Sequence, residues 1–463
     1  MDPLQRLDAA RTRPRWTVCA LAVFTAVLVY TIGEGIFPYY TSNHDEAVYL
    51  QQAAMLLEGQ LWLHPPVPDV FRPWFFVADG GALYAKYTPV TAAIFAGGMV
   101  LGNARFALAI VAAVTVALTY AVVTEVFDRE TGVVAAILLV CSPLFLVDSS
   151  VFLPYVPAFC LNLAFAWAYL RADRTGDVRF AALAGVAIGI SFFARPYTAV
   201  LFATPFIAHA LWTLRSLDRE PLVRQTATAA LGLGGVGLAL AYNVVLTGDP
   251  LVFPYQEFAP QDGPGFGHRQ ILGYERTYTI PLALEANARN LVTYATRWTP
   301  AGPLGTLLAA LGLGTTVRRA RWTPDSRTLT LAGLAVTIPL GNVYFWGTLN
   351  VLGDLSDTTD GLISFLGPYY HVGLLLPTVA FGAVGARYVV RTVRDVLADI
   401  DSTAARRASL IVVLTVSVVL TAVTAGAVSA PLSDNYDVTE QYEQAYEPFE
   451  DREFENEIGR AHV

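Results

Sequence analysis

The sequence predicts an all-α polytopic membrane protein, and three observations carry that prediction. The 463 residues are 54% hydrophobic and only 15% charged, where a soluble chain carries about 25% charged residues. Apolar runs of the ~17–25 residues that cross a bilayer as helix recur along the chain. These runs are continuously apolar, which argues against the alternating pattern of a membrane β-barrel. About eleven transmembrane helices follow.

The first span covers 16–37. It is too long for the apolar region of a signal peptide and lacks a small-residue cleavage site, so it reads as an anchor. Arg6, Arg11, Arg13 and Arg15 precede it and place the N-terminus in the cytoplasm. A first outer segment, 38–103, then carries a short helix from Asp45 and Glu46 to Gly59, with Ala47, Leu50, Ala54 and Leu57 at helical spacing. Its later apolar run, 90–101, has ~12 residues, too few to span, and reads as interfacial. Spans two to seven are 106–127, 133–147, 154–170, 180–194, 197–214 and 226–246. A second outer loop, 247–300, separates them from spans eight to eleven, at 301–316, 329–349, 367–386 and 410–430. Residues 1–430 thus form a transmembrane domain, followed by an acidic outer tail, 431–463, with ten acids and two arginines. The tail reads as a solvating surface or a flexible appendage.

Charge placement supports this topology. The cytoplasmic segments hold 20 of the 30 basic residues but 13 of the 38 acids, the bias that orients membrane proteins. Cys19, Cys141 and Cys160 all lie in apolar runs, which argues against a disulfide framework or a cysteine metal site. No internal repeat is found, which weakens an inverted-repeat transporter.

The residues that could carry chemistry collect on the outer face. Asp45 and Glu46 fall in the first turn of a helix, where free N–H groups favour negative charge. That position suits an N-cap on an interfacial helix as well as a catalytic pair. Lys86, in Tyr84-Ala85-Lys86-Tyr87-Thr88-Pro89, is the sole lysine; the other basic residues are arginines. It reads either as a snorkelling anchor or as a site cation. Arg195 closes the fifth span in Phe193-Ala194-Arg195-Pro196-Tyr197, and a charge there should face a headgroup or a polar cavity. Asp148 reads as a helix-end residue. His44, His64 and His268 could join Asp45 on a divalent cation, though their spacing matches no recognised ligand pattern. No cofactor is therefore assigned, and a divalent cation stays open. Phosphate-binding glycine loops and nucleophile-elbow motifs are missing in the required strand–helix context. The single lysine argues against a basic nucleic-acid surface.

Asp45-Glu46-Ala47-Val48-Tyr49 after a first span, followed by Lys86-Tyr87-Thr88-Pro89, resembles the GT-C-fold glycosyltransferases that use polyprenyl- or dolichyl-phosphate sugars. Within them it is most similar to the protein O-mannosyltransferase and aminoarabinose-transferase-like group. The likeness extends through Ser142-Pro143-Leu144-Phe145-Leu146 and Phe193-Ala194-Arg195-Pro196. It covers the first 200 residues or so well and is looser after Gly248-Asp249-Pro250.

The resemblance implies an inverting transfer to a protein, lipid or glycan acceptor on the outer face. Asp45 would be the base, Glu46 its support, and Lys86 and Arg195 the holders of donor phosphate. His44, Tyr49, Tyr87, Tyr197, His268 and Arg269 are candidates for substrate contact. Tyr155 stands where many relatives carry a charged or polar residue, which puts a second catalytic acid there in doubt. The rival readings are a transporter or lipid flippase, which would put charges mid-span in broken helices, and a non-catalytic scaffold of the same fold.

Overall fold

A computed structural model describes residues 14–67, 73, 75–319, 325–356, 361–398 and 403–450. Arg6, Arg11, Arg13, Arg321, Asp357, Asp360 and the tail beyond Glu450 lie outside the described residues. In order, the helices are α1 (Pro14–Ile36), α2 (Asp45–Leu57), α3 (Pro89–Val100), α4 (Arg105–Val126), α5 (Arg129–Val140), α6 (Pro143–Ser149), α7 (Tyr155–Thr175), α8 (Val178–Ala194) and α9 (Pro196–Thr213). They continue with α10 (Arg219–Thr247), α11 (Pro254–Phe258), α12 (Ile280–Thr293), α13 (Pro303–Arg319), α14 (Ser326–Tyr344), α15 (Gly347–Asn350), α16 (Ile363–Leu366), α17 (Leu375–Ala398) and α18 (Thr403–Glu450). Two antiparallel hairpins complete the fold: β1 (Phe76–Asp79) with β2 (Ala82–Ala85), and β3 (Gly267–Ile271) with β4 (Tyr274–Tyr278).

Each expected span overlaps a helix, though the bounds shift by 7 to 20 residues at α10, α17 and α18, and the described helices do not by themselves give eleven spans. Five described helices are long and apolar enough to cross a membrane, or seven if two bent pairs each count as one span. The difference has local causes. Helix α8 has 17 residues. Helix α7 is packed among other helices and directs polar groups at them. Asn162 accepts from Ser191 at 2.8 Å, and Tyr169 bonds His209 at 2.8 Å. The third expected span is two helices, α5 and α6, bent by 66° at Cys141-Ser142-Pro143, where proline cannot continue the i→i−4 ladder. Ser142 Oγ donates to the Trp298 carbonyl at 2.8 Å and ties down the bend.

Segment 247–300, expected as a second outer loop, is not a plain loop. It contains α11, the β3–β4 hairpin and α12, which runs through a π-turn, Tyr294–Trp298, into a 102° bend before α13. The last helix is also longer than expected. Helix α18 continues past Ala430 to Glu450, and its far part is docked. Thr439 Oγ1 donates to the Ile36 carbonyl at 2.6 Å, and Asn435 Nδ2 to the Phe365 carbonyl at 2.9 Å. Tyr39 meets the ring of Tyr446 at 5.6 Å.

The two ends of the helix array differ in chemistry. At one end, arginines tie helices together through acids, of which Glu125 and Asp173 are largely buried and Asp128 and Glu130 exposed. Arg171 and Arg174 hold Glu125, Arg224 and Arg327 share Asp173, and Arg387 holds Asp128 and Glu130. At the other end, Arg105 is buried between Glu34, at 3.2 Å, and the Phe37 carbonyl, at 2.6 Å. That second end also gathers α2, the hairpins and the docked part of α18, and the candidate site lies there.

Candidate active site

The site starts from the turn into α2. Asn43 closes that turn, its Oδ1 accepting from Asp45 N–H at 3.1 Å. Asp45 then opens the helix with its carboxylate outside the capping bonds. Glu46 does not cap the helix either. Its Oε1 accepts from Thr41 N–H at 2.8 Å and Thr41 Oγ1 at 2.5 Å, and its Oε2 from Phe152 N–H at 2.7 Å. Burial pushes the Glu46 carboxyl above its ordinary 4.5, against the pull of these bonds and of Arg105. Glu46 thus ties the 37–46 segment to the link between α6 and α7, while Asp45 stays available.

Lys86 meets that free carboxylate: its Nζ lies 3.0 Å from Asp45 Oδ1. The lysine side chain is 2% exposed and the aspartate 20%. Four rings surround the ammonium, with centroids at 3.7 Å for Phe75, 4.7 Å for Tyr87, 4.9 Å for Phe258 and 5.1 Å for Tyr255. Aromatic faces attract a desolvated cation, so a lysine buried here keeps electrostatic support. Phe75 reaches its place with φ +63°, a left-handed backbone that costs roughly 1–2 kcal/mol in an L-residue.

Arg195 joins the same neighbourhood from the α8–α9 junction, where Pro196 opens α9. Thr88 Oγ1 donates to the Ala194 carbonyl at 3.1 Å, which fastens the Lys86 segment to the Arg195 junction. The guanidinium lies 4.6 Å from the Tyr155 ring centroid, and Tyr155 stacks on Tyr369 at 4.2 Å. On the other side, Tyr87 stacks on Tyr49 at 4.5 Å and on Tyr255 at 5.7 Å. Burial drives the Tyr49 hydroxyl well above the usual tyrosine range, while Arg195 pulls the other way and Asp45 adds to the rise. Two cations and one partly exposed carboxylate therefore share a tyrosine-walled region of low polarity. Such cations can stabilise a developing anion, and the carboxylate can accept a proton within hydrogen-bond reach.

Of the remaining sequence candidates, His44 borders the cage through Phe75 and the histidines and arginine of the later segments do not reach it. His44 packs near Phe75, ring to ring at 6.1 Å, and lines a small cleft with Gln51, Pro73 and Phe76. His64 is exposed. His268 is exposed on β3 and pairs with Glu275 across the hairpin at 3.9 Å. Arg269 binds the carbonyls of Gly265 and Phe266. Tyr197 donates to the Gly341 carbonyl at 2.6 Å and stacks on Phe345, one ring removed from Tyr370. Asp148 is a helix-end residue as expected, fully buried in α6. Among the described residues, no three His, Cys, Asp or Glu side chains gather as a metal site.

Other residues join the cluster without having been singled out in the sequence. Phe75, Tyr255, Phe258, Tyr369 and Tyr370 form walls. Asp262 accepts from both the Tyr255 hydroxyl and the Trp346 indole N–H. In sequence, the Pro254-Tyr255-Gln256 run in segment 247–300 does not say what it packs on.

The helical membrane fold is the one shared by solved GT-C glycosyltransferase structures. The sequence model of the family described as dolichyl-phosphate-mannose-protein mannosyltransferase matches residues 83–238, a stretch that includes Lys86 and Arg195. Among solved structures, the chain is similar to ArnT from Cupriavidus metallidurans bound to undecaprenyl phosphate, with TM-score 0.58, 11% identity, and coverage of 93% of this chain and 79% of that one. It is also similar to the Archaeoglobus fulgidus oligosaccharyltransferase AglB in complex with an inhibitory peptide and a dolichol-phosphate, with TM-score 0.51, 12% identity and 92% of this chain covered. The apo form of that archaeal enzyme aligns with TM-score 0.54, 14% identity and 90% coverage. The chain spans 56% of the length of these oligosaccharyltransferase structures. No curated protein matches it in sequence.

Proposed function

We propose that the chain is a membrane glycosyltransferase that moves a sugar from a polyprenyl- or dolichyl-phosphate donor to an acceptor hydroxyl, with inversion. The observation that carries this reading is the Asp45–Lys86 pair, 3.0 Å apart in a tyrosine-walled pocket beside Arg195. In the transfer, the acceptor oxygen forms a bond to the anomeric carbon as the bond to phosphate oxygen breaks. The phosphate leaves with the electron pair, held by Lys86 and Arg195. The acceptor proton passes to Asp45. Glu46 supports Asp45 by anchoring the turn that carries it.

The site end is the outer face on this reading, because the arginine-rich end suits the cytoplasmic side. A lipid-borne donor explains why the chemistry sits at a membrane face. The supporting likenesses are the family match and the folds of proteins solved with undecaprenyl phosphate and dolichol-phosphate. Residues 1–430 act as the transferase domain. The candidate cations lie at helix ends rather than mid-span, unlike the transporter pattern. Purified chain incubated with a radiolabelled lipid-phosphate-sugar pool should transfer or release sugar. Failure with every donor would remove the enzyme reading and leave a non-catalytic scaffold of the same fold.

A further inference from the structure

Two of the four rings around Lys86 do not belong to its own segment. Tyr255 and Phe258 come from α11, a five-residue helix in the second outer segment. So short a helix has no stability of its own, so tertiary bonds must set its position. Asp262 supplies the one that reaches the protein core. Its carboxylate, 8% exposed, accepts from the Tyr255 hydroxyl on one oxygen and from the Trp346 indole on the other. Trp346 is fully buried and stacks on Tyr274 of β4. An indole N–H can only donate, and a buried donor without an acceptor is costly. Asp262 is therefore a bracket between a fixed core tryptophan and a wall of the Lys86 cage. Its own N–H donates to the Ala259 carbonyl at 3.0 Å, which closes the turn after α11.

We propose that Asp262 is a positioning residue for the donor-phosphate site, acting through Tyr255 to seat α11 over Lys86. The second outer segment then completes a phosphate site whose cation comes from the first. This inference rests on the proposed role of Lys86 as phosphate holder. Without the bracket, Tyr255 and Phe258 leave the ammonium, water enters, and the lysine is spent on solvent and Asp45 instead of on phosphate.

The test uses the full chain in lipid nanodiscs and undecaprenyl monophosphate as the probe, with binding read directly. Wild type should bind. Asp262→Ala should bind roughly 10-fold or more weakly, the scale of one charge-assisted bond. Asp262→Asn should recover part of the loss, since its amide oxygen still accepts one of the two donors. Tyr255→Phe keeps the ring and breaks the bracket at a single atom, so it should weaken binding in the same direction even if Asp262→Ala folds poorly. In a Lys86→Met background, Asp262→Ala should cause no further loss, which a merely structural role would not predict. If Tyr255→Phe and Asp262→Asn both bind like wild type, or if the Lys86 and Asp262 losses add in full, the inference is overturned while the phosphate site stands. A wild-type chain that does not bind the lipid phosphate overturns both.

Discussion

Asp45 and Lys86, 41 positions apart in sequence, form an ion pair of 3.0 Å in which the lysine is almost wholly buried and the aspartate is partly open. The asymmetry divides the labour. Lys86 is held by rings on several sides, so it is a fixed positive charge. Asp45 keeps an open face, so it can meet an acceptor. Glu46, adjacent in sequence, is saturated by Thr41 and Phe152 and cannot replace it without breaking the turn.

Asp45→Asn keeps the shape of the side chain and removes its basicity. Sugar transfer should fall by about 10²-fold or more at unchanged expression. Near-normal transfer in a radiolabel assay would rule out Asp45 as the base.

Lys86→Met and Arg195→Met should each weaken donor use. A charge-assisted contact to phosphate contributes ~1.5–3 kcal/mol, equivalent to roughly 10- to 150-fold. Arg195→Lys should not restore wild-type values, because it loses the planar fork and its place over Tyr155. Donor KM measured for the three variants decides this; a full rescue by lysine would exclude a bidentate role.

The buried Glu46 carboxyl sets a pH dependence. Burial raises it above 4.5, so the folded chain holds that proton to higher pH than the unfolded chain. Its contribution to stability is complete below the unfolded value and is lost as pH rises through the folded one. Glu46→Gln should flatten that part of the profile in thermal unfolding scanned upward from about pH 4. An identical slope in the variant would show that Glu46 does not titrate as described.

Helices α8 and α10 cross at Gly189 and Gly235, where a side-chain carbon on Gly235 would overlap the Gly189 backbone. Small residues permit such close approach in membranes. Gly235→Ala should cost ~1–3 kcal/mol by overpacking, seen as a lowered midpoint in detergent unfolding. Gly237→Ala, with open space around it, is the control and should be neutral or mildly stabilising.

The docked part of α18 should steady the turn that carries Asp45. Asn435→Leu with Thr439→Val removes the bonds to the carbonyls of Phe365 and Ile36. Hydrogen exchange across 37–46 should then accelerate. Exchange rates matching wild type would show that the tail helix and the turn are uncoupled.

Hydropathy and composition alone determined the membrane class and the positions of most helices, because burial in lipid is written locally as runs of apolar side chains. The α2 helix was legible for the same kind of reason: apolar spacing behind a pair of acids. Lys86 stood out as a lone lysine, and resemblance pointed to Asp45. Neither could say that the two touch. Span number is not settled by apolar runs alone where helices pack on one another or bend. Helix α7 directs Asn162 and Tyr169 at neighbouring helices, and Pro143 opens the second of the two helices that share one apolar run. Only the tertiary structure decided that Tyr255 and Asp262 close over Lys86, that Tyr155 lies beneath Arg195, and that His268 and Arg269 spend their contacts within their own hairpin region. Those outcomes depend on the packing of segments far apart in the chain, and local periodicity carries no record of which distant surfaces will meet.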